Sequence, residues 1–138
     1  LYSHYGELLL YPANKTGHTF VTPEEVNVIH QHAFYENVHL KKLVLGDAIS
    51  KIGYRAFACS NIESINIPVK TERIELDVFL YCKIKELYIP KWVSFIEMNS
   101  NTAGNINPYK EMKVLVDEGS YAEKIFKEHG LDVTVIKE

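Results

Sequence analysis

The chain has 138 residues, 46% hydrophobic and 24% charged, the composition of one folded domain with enough apolar residues for a core. A formal net charge of -3, with lysines and acids interspersed, offers no field of one sign to attract nucleic acid or an anionic membrane. No apolar run approaches the roughly 20 residues that cross a bilayer, and the first residues show no basic-then-apolar leader pattern.

In chain order, Leu1 to Tyr5 and Leu8 to Tyr11 read as two strands joined at Gly6-Glu7, and Pro12 to Gly17 as a turn leading into Thr19 to Thr22. A start inside a hairpin on an apolar residue raises the expectation of further repeats upstream. A periodic region follows. Phe34, Phe57 and Phe79 stand 23 and 22 residues apart. Aligning them places Ile29 over Ile52 and Ile74, Leu43 over Ile65 and Leu87, and Leu45 over Ile67 and Ile89. A period in the twenties marks a solenoid, whose units stack because none can bury its apolar face alone. Leu43 to Leu45, Ile65 to Ile67 and Leu87 to Ile89 read apolar, variable, apolar, which predicts short strands stacked as one parallel sheet. Pro23, Gly46, Pro68 and Pro90 end these strands. A second extended piece is centred on Ile29, Ile52, Ile74 and Ile96, and three of these lead into an Ala-Phe or Val-Phe turn whose phenylalanine plugs the core.

The fourth repeat departs from this pattern, because Asn101 stands where the next phenylalanine would fall, inside the polar stretch Met98 to Pro108. That insertion is expected to be the most mobile segment. After a last ladder strand, Val114 to Val116, Ser120 and Glu123 form a capping box. A helix with Ala122, Ile125, Phe126 and His129 on one face follows, stopped by Gly130, and then a closing strand through Leu131, Val133 and Val135. The expected organisation is an N-terminal hairpin over 1–22, repeats over 23–116 and a helix-and-strand cap over 117–138.

The run from Ile52 to Pro68 resembles the repeat of BspA-type leucine-rich repeat proteins: an Ile-Gly pair, Ala56-Phe57, a small residue with Cys59, then the strand and its proline. Leu9 to Gly17 resembles the hairpin insertion common in that family, and Val116 to Tyr121 its final repeat running into the capping helix. Val78, Leu80-Tyr81-Cys82 and the degenerate fourth repeat depart from the pattern. The resemblance implies a mostly β leucine-rich-repeat solenoid of about four repeats, with a parallel ladder and a C-terminal capping helix. It also implies an extracellular or surface-attached protein of host-associated microbes, in a family that includes adhesins for host matrix, plasma or microbial proteins.

The strand pattern locates a candidate binding face. Between the buried ladder residues, Val21, Val44, Asn66, Tyr88 and Leu115 point outward, and Thr19, Lys42, Ser64, Glu86 and Lys113 form a second column just before each strand. In curved solenoids such columns line the concave surface, and Tyr88 is the best single anchor there. A protein partner through this face, or alternatively a passive spacer with no ligand, are the two readings, each as a monomer.

Cys59 and Cys82, placed at equivalent positions, would stack within disulfide range, although stacked parallel side chains rarely reach the torsion, which favours two thiols. His30 and His32 with His39 have the composition of a metal site but lie at variable turn positions, where solvated histidines are the better reading. Asn14-Lys15-Thr16 is a glycosylation acceptor pattern in a turn. No phosphate loop, serine elbow or HExxH pattern occurs, and no carboxylate pair stands out, so neither catalysis nor a cofactor is expected.

Overall fold

A computed structural model describes residues 1–98 and 107–137. In chain order the elements are β1 (Glu7–Leu8), β2 (Thr19–Val21), β3 (Val28–Ile29), β4 (Lys42–Val44), β5 (Lys51–Ile52), β6 (Ser64–Ile65), β7 (Arg73–Ile74), β8 (Glu86–Ile89), β9 (Phe95–Ile96), β10 (Lys113–Asp117), α1 (Tyr121–Glu128) and β11 (Thr134–Ile136). Odd-numbered strands β1-β3-β5-β7-β9 form one continuous sheet, and each step pairs in parallel. Ile29, Ile52, Ile74 and Ile96 stack there in register with their side chains buried. The period of 22 to 23 residues is thus one circuit of a solenoid, with a rung on each of two faces.

The ladder face differs from the single sheet expected. It consists of two parallel sheets, β2-β4-β6 and β8-β10-β11, with no pairing between β6 and β8. Asn66 shortens β6 on its β4 side. Its carboxamide accepts from the Leu45 N–H at 2.8 Å and donates to the Leu45 carbonyl at 2.9 Å, so a side chain takes the place of the next main-chain rung and β6 ends at Ile65. Six strands lie along this face, β10 and β11 included, which exceeds the four repeats read from the phenylalanine register.

The turns follow the chemistry expected of them. Pro23, Gly46, Pro68 and Pro90 each accept from the N–H three residues on, at 3.1, 3.3, 3.0 and 3.2 Å, closing the same turn in four repeats. The phenylalanine turns hold a feature that the letters do not announce. His32, Glu36, Arg55, Cys59, Asp77 and Tyr81 all have φ between 50° and 59°, two per repeat, in the left-handed region. The first four donate their N–H groups to the next repeat, at 2.8 to 3.1 Å, so the strained backbone is what aims these amides along the solenoid. Gly53 answers a different demand: a Cβ there would sit 2.7 Å from the main-chain nitrogen of Gln31, too close for any side chain. The Ile-Gly pair of the repeat is therefore a contact between neighbouring turns.

Phe34, Phe57 and Phe79 are fully buried beside Ala33, Ala56 and Val78, as their spacing predicts. Their rings form part of a longer aromatic column. Tyr11, Phe34, Phe57, Phe79, Tyr109 and Phe126 follow one another at centroid separations of 5.1, 5.4, 5.9, 6.0 and 4.8 Å. Tyr109 is the plug of the irregular fourth repeat, 30 residues after Phe79 rather than 22. Asn101, where a count of 22 from Phe79 arrives, lies outside the described residues, as does most of the stretch expected to be mobile.

At the two ends the expectations hold in part. The N-terminal hairpin reduces to a Tyr2–Leu8 antiparallel bridge, with the reversal at His4 to Gly6, and Glu7 and Leu8 belong to the solenoid as β1. Gly6 has φ 82°, and a Cβ there would lie 2.5 Å from the Glu25 carbonyl oxygen, so this reversal requires glycine. At the other end Ser120 caps α1 by accepting from the Glu123 N–H at 3.1 Å, while the Glu123 carboxylate reaches back to the Gly119 N–H at 2.8 Å. Ala122 and Phe126 face the core, whereas His129, expected beside them, is exposed at the helix end with its ring against the Ile125 carbonyl. Gly130 follows with φ 70°, and β11 pairs parallel to β10.

Candidate functional site

The register of the ladder sheets decides which outward residues share a column. Val21 lies opposite Val44, and Tyr88 opposite Leu115 and then Thr134, so each sheet carries its own short apolar column. Asn66 does not extend the first column as a free side chain, since both ends of its amide are held by Leu45. Val21 is open to solvent and Tyr88 partly so, at 59% and 41%, whereas Val44 and Leu115 are half-buried. The second column is exposed throughout: Thr19, Lys42 and Ser64 align along one sheet, Glu86 and Lys113 along the other. Lys113 approaches Glu86 at 3.9 Å, a contact between exposed groups that adds little stability.

Tyr88 is held in place by a residue that pattern reasoning passed over. Its hydroxyl donates to the Asp117 carboxylate at 3.0 and 2.8 Å, and the Lys91 N–H donates to the same group at 2.9 Å. Asp117 follows Val116 as Pro90 follows Ile89, and these two strands are in register, so it occupies the place of the ladder-ending proline. That substitution was the available signal. An acid replaces the proline because a carboxylate at this turn can bind the amide of the preceding turn and the phenol beside it.

Beside the polar column lies an open groove of about 760 Å³, lined by Lys41, Asn61, Glu63, Ser64, Lys83, Lys85 and Glu86. It lies where β6 and β8 fail to pair. Two of the residues picked from the sequence, Ser64 and Glu86, are in its wall. Tyr88 and Leu115 are not.

The cysteines are not equivalent. Counting from Phe57 and Phe79, Cys59 matches Tyr81, and the two share left-handed φ values of 58°; Cys82 matches Ser60. The equivalence expected of the two cysteines fails because they are 23 residues apart while this step of the repeat is 22. Both are free thiols. The Cys82 thiol donates to the Phe57 carbonyl at 2.9 Å and lies 3.5 Å from the Ser60 hydroxyl. Burial pushes it up to about 11, and the thiolate that alkylating reagents need is correspondingly scarce at neutral pH. At pH 8 the folded chain should therefore alkylate at Cys82 on the order of a hundredfold more slowly than an ordinary free thiol, given thiolate fractions set by the two pKa values. Peptide mapping after timed iodoacetamide exposure measures this, and rapid labelling would show that Cys82 does not keep its proton.

The histidines lie apart. The His32 ring meets Tyr35 and Tyr54 edge-on at 5.3 and 5.4 Å, and the His39 carbonyl faces the His18 ring at 3.1 Å. Among the described residues no three His, Cys, Asp or Glu side chains gather as a metal site would require.

The sequence from 14 to 106 matches the family described as BspA type leucine rich repeat region, in six copies. The chain belongs to the BspA-type leucine-rich repeat family. The six copies matched exceed the four repeats expected, although of the ladder strands only β2, β4, β6 and β8 lie within the matched residues. Among solved structures, the chain is similar to the crystal structure of the pneumococcal vaccine antigen PcpA, with a TM-score of 0.62 and 23% identity over 99% of this chain and 46% of that one. At that identity the likeness is one of fold, and the chain spans less than half the length of that structure. No curated protein matches it. No helix among the described residues is long and apolar enough to cross a membrane.

Proposed function

We propose that this BspA-type repeat chain is a non-enzymatic protein-binding module of a microbial cell-surface or secreted protein, engaging a host matrix, plasma or microbial protein through its ladder face. The observation that carries this is the fixed posture of Tyr88. An exposed aromatic ring locked by a carboxylate loses little side-chain freedom on binding, the property that makes tyrosine a common interface anchor. Leu115 beside it, with Val21 and Val44 on the neighbouring sheet, adds apolar area, and Lys42, Ser64, Glu86 and Lys113 supply a polar border.

The test is biolayer interferometry of the chain against immobilised matrix, plasma and microbial surface proteins, repeated with a Tyr88→Ala, Leu115→Asp variant whose fold is checked by circular dichroism. Binding to the partner found should weaken at least about tenfold, the loss typical of an anchor residue worth more than about 1 kcal/mol. Unchanged affinity would remove this face from the reading. A second reading, a passive spacer, draws on the aromatic column that runs from Tyr11 to Phe126 and would suit a rigid rod. A screen with no saturable partner would favour it.

A further inference from the structure

We propose that the groove at the break in the ladder receives an extended, acidic segment of a partner polypeptide. The inference rests on the ladder face being a protein-binding surface and adds the chemistry of what it binds. Its basis is a local reversal of charge. The chain as a whole carries -3, yet the groove wall holds Lys41, Lys83 and Lys85 against Glu63 and Glu86. Lys42, next in the chain to Lys41, and Lys113, paired in register with Glu86, stand at its border, and all five lysines are exposed.

The backbone of this cluster is fixed by the solenoid. The Lys41 carbonyl accepts from Glu63 at 2.8 Å and from Ser64 at 3.2 Å, the Lys83 N–H donates to Ile62 at 3.1 Å, and the Lys85 carbonyl accepts from Lys113 at 2.7 Å. The ammonium groups therefore rise from defined points on consecutive turns. Such an array attracts a chain of carboxylates through long-range steering more than through any one contact.

The second observation favours a polypeptide over a simple polyanion. Glu63 and Glu86 stand among the lysines of the wall, so a uniformly negative polymer meets like charge there. A peptide whose carboxylates alternate with neutral residues meets the lysines and sets uncharged groups against the two acids. Ser64, the first residue of β6, adds a hydroxyl to the wall.

The probe is a fluorescein-labelled peptide of alternating glutamate and glycine, followed by anisotropy with the full chain, beside peptides carrying glutamine or lysine at the same positions. The glutamate peptide should bind at least about tenfold tighter than the glutamine peptide and weaken as salt rises from about 50 to 200 mM. Lys83→Glu with Lys85→Glu should reduce that binding at least about tenfold while the circular dichroism spectrum stays unchanged. Equal affinity for the glutamine peptide, or indifference to the charge reversal, overturns the proposal. So does a sulfated oligosaccharide that binds as tightly as the peptide, since that would mark a polyanion site. A protein partner whose binding falls with the Tyr88→Ala, Leu115→Asp variant but not with the lysine reversal overturns the acidic segment and leaves the ladder face standing. Acidic-peptide binding that survives while that variant leaves every partner unaffected has the opposite meaning: it supports the groove and overturns the Tyr88 column.

Discussion

Replacing Phe57 with alanine is expected to lower the unfolding free energy by about 3 to 5 kcal/mol, read from guanidinium denaturation with the circular dichroism signal as probe. The ring is fully buried, with Phe34 at 5.4 Å on one side and Phe79 at 5.9 Å on the other. A domain of this size has about 5 to 15 kcal/mol of stability in total, so the variant would stand close to its unfolding threshold. The solenoid sharpens the effect, because each turn is stabilised mainly by its two neighbours and a gap in the middle weakens both interfaces. Phe57→Leu, which keeps most of the volume, should lose less. A Phe57→Ala loss below about 1 kcal/mol would mean that the column is not what holds the turns together.

The same substitution at Tyr109 should cost a similar amount, about 3 to 5 kcal/mol, although no periodic signal points to it. Tyr109 is buried between Phe79 at 6.0 Å and Phe126 at 4.8 Å, and so joins the last phenylalanine turn to the capping helix. Tyr109→Phe separates the ring from its hydroxyl. Burial first, and the Asp77 carboxylate second, hold the Tyr109 phenol well above its ordinary range. The folded chain thus keeps a proton that the unfolded chain releases above about pH 10, so this group's contribution is complete below that pH and is lost as the pH rises beyond it. Tyr109→Phe should therefore narrow the difference in guanidinium midpoint between about pH 8 and pH 11. Cys82 and Tyr11, whose values are also raised by burial, keep part of the decline in place. An unchanged difference would show that Tyr109 is not titrating against its burial.

These two residues mark how far the letters could be read. Phe57 was legible because repetition places Phe34, Phe57 and Phe79 in one environment three times over, and a shared environment leaves a shared residue. Tyr109 was not, because its turn lies beyond the irregular stretch after Met98, where counting by 22 arrives at Asn101. Of the candidate site, the two columns were legible from strand alternation: Tyr88 stands opposite Leu115, and Glu86 opposite Lys113. Asp117 beneath Tyr88 and the amide of Asn66 on Leu45 were not. Each joins residues more than 20 positions apart, through a side-chain direction that a letter does not specify.

By itself, then, the sequence determined the period, the buried residues of each turn, the ladder-ending prolines and the cap at Ser120. These are local or repeated preferences, and each is satisfied within one turn or between identical turns. The tertiary structure alone decided that the ladder face splits between β6 and β8, that six aromatic rings form one column, and that lysines from separate turns meet in one groove. Those outcomes depend on how successive turns are placed against each other. In a solenoid the stacking repeats, but the contacts between its variable side chains do not.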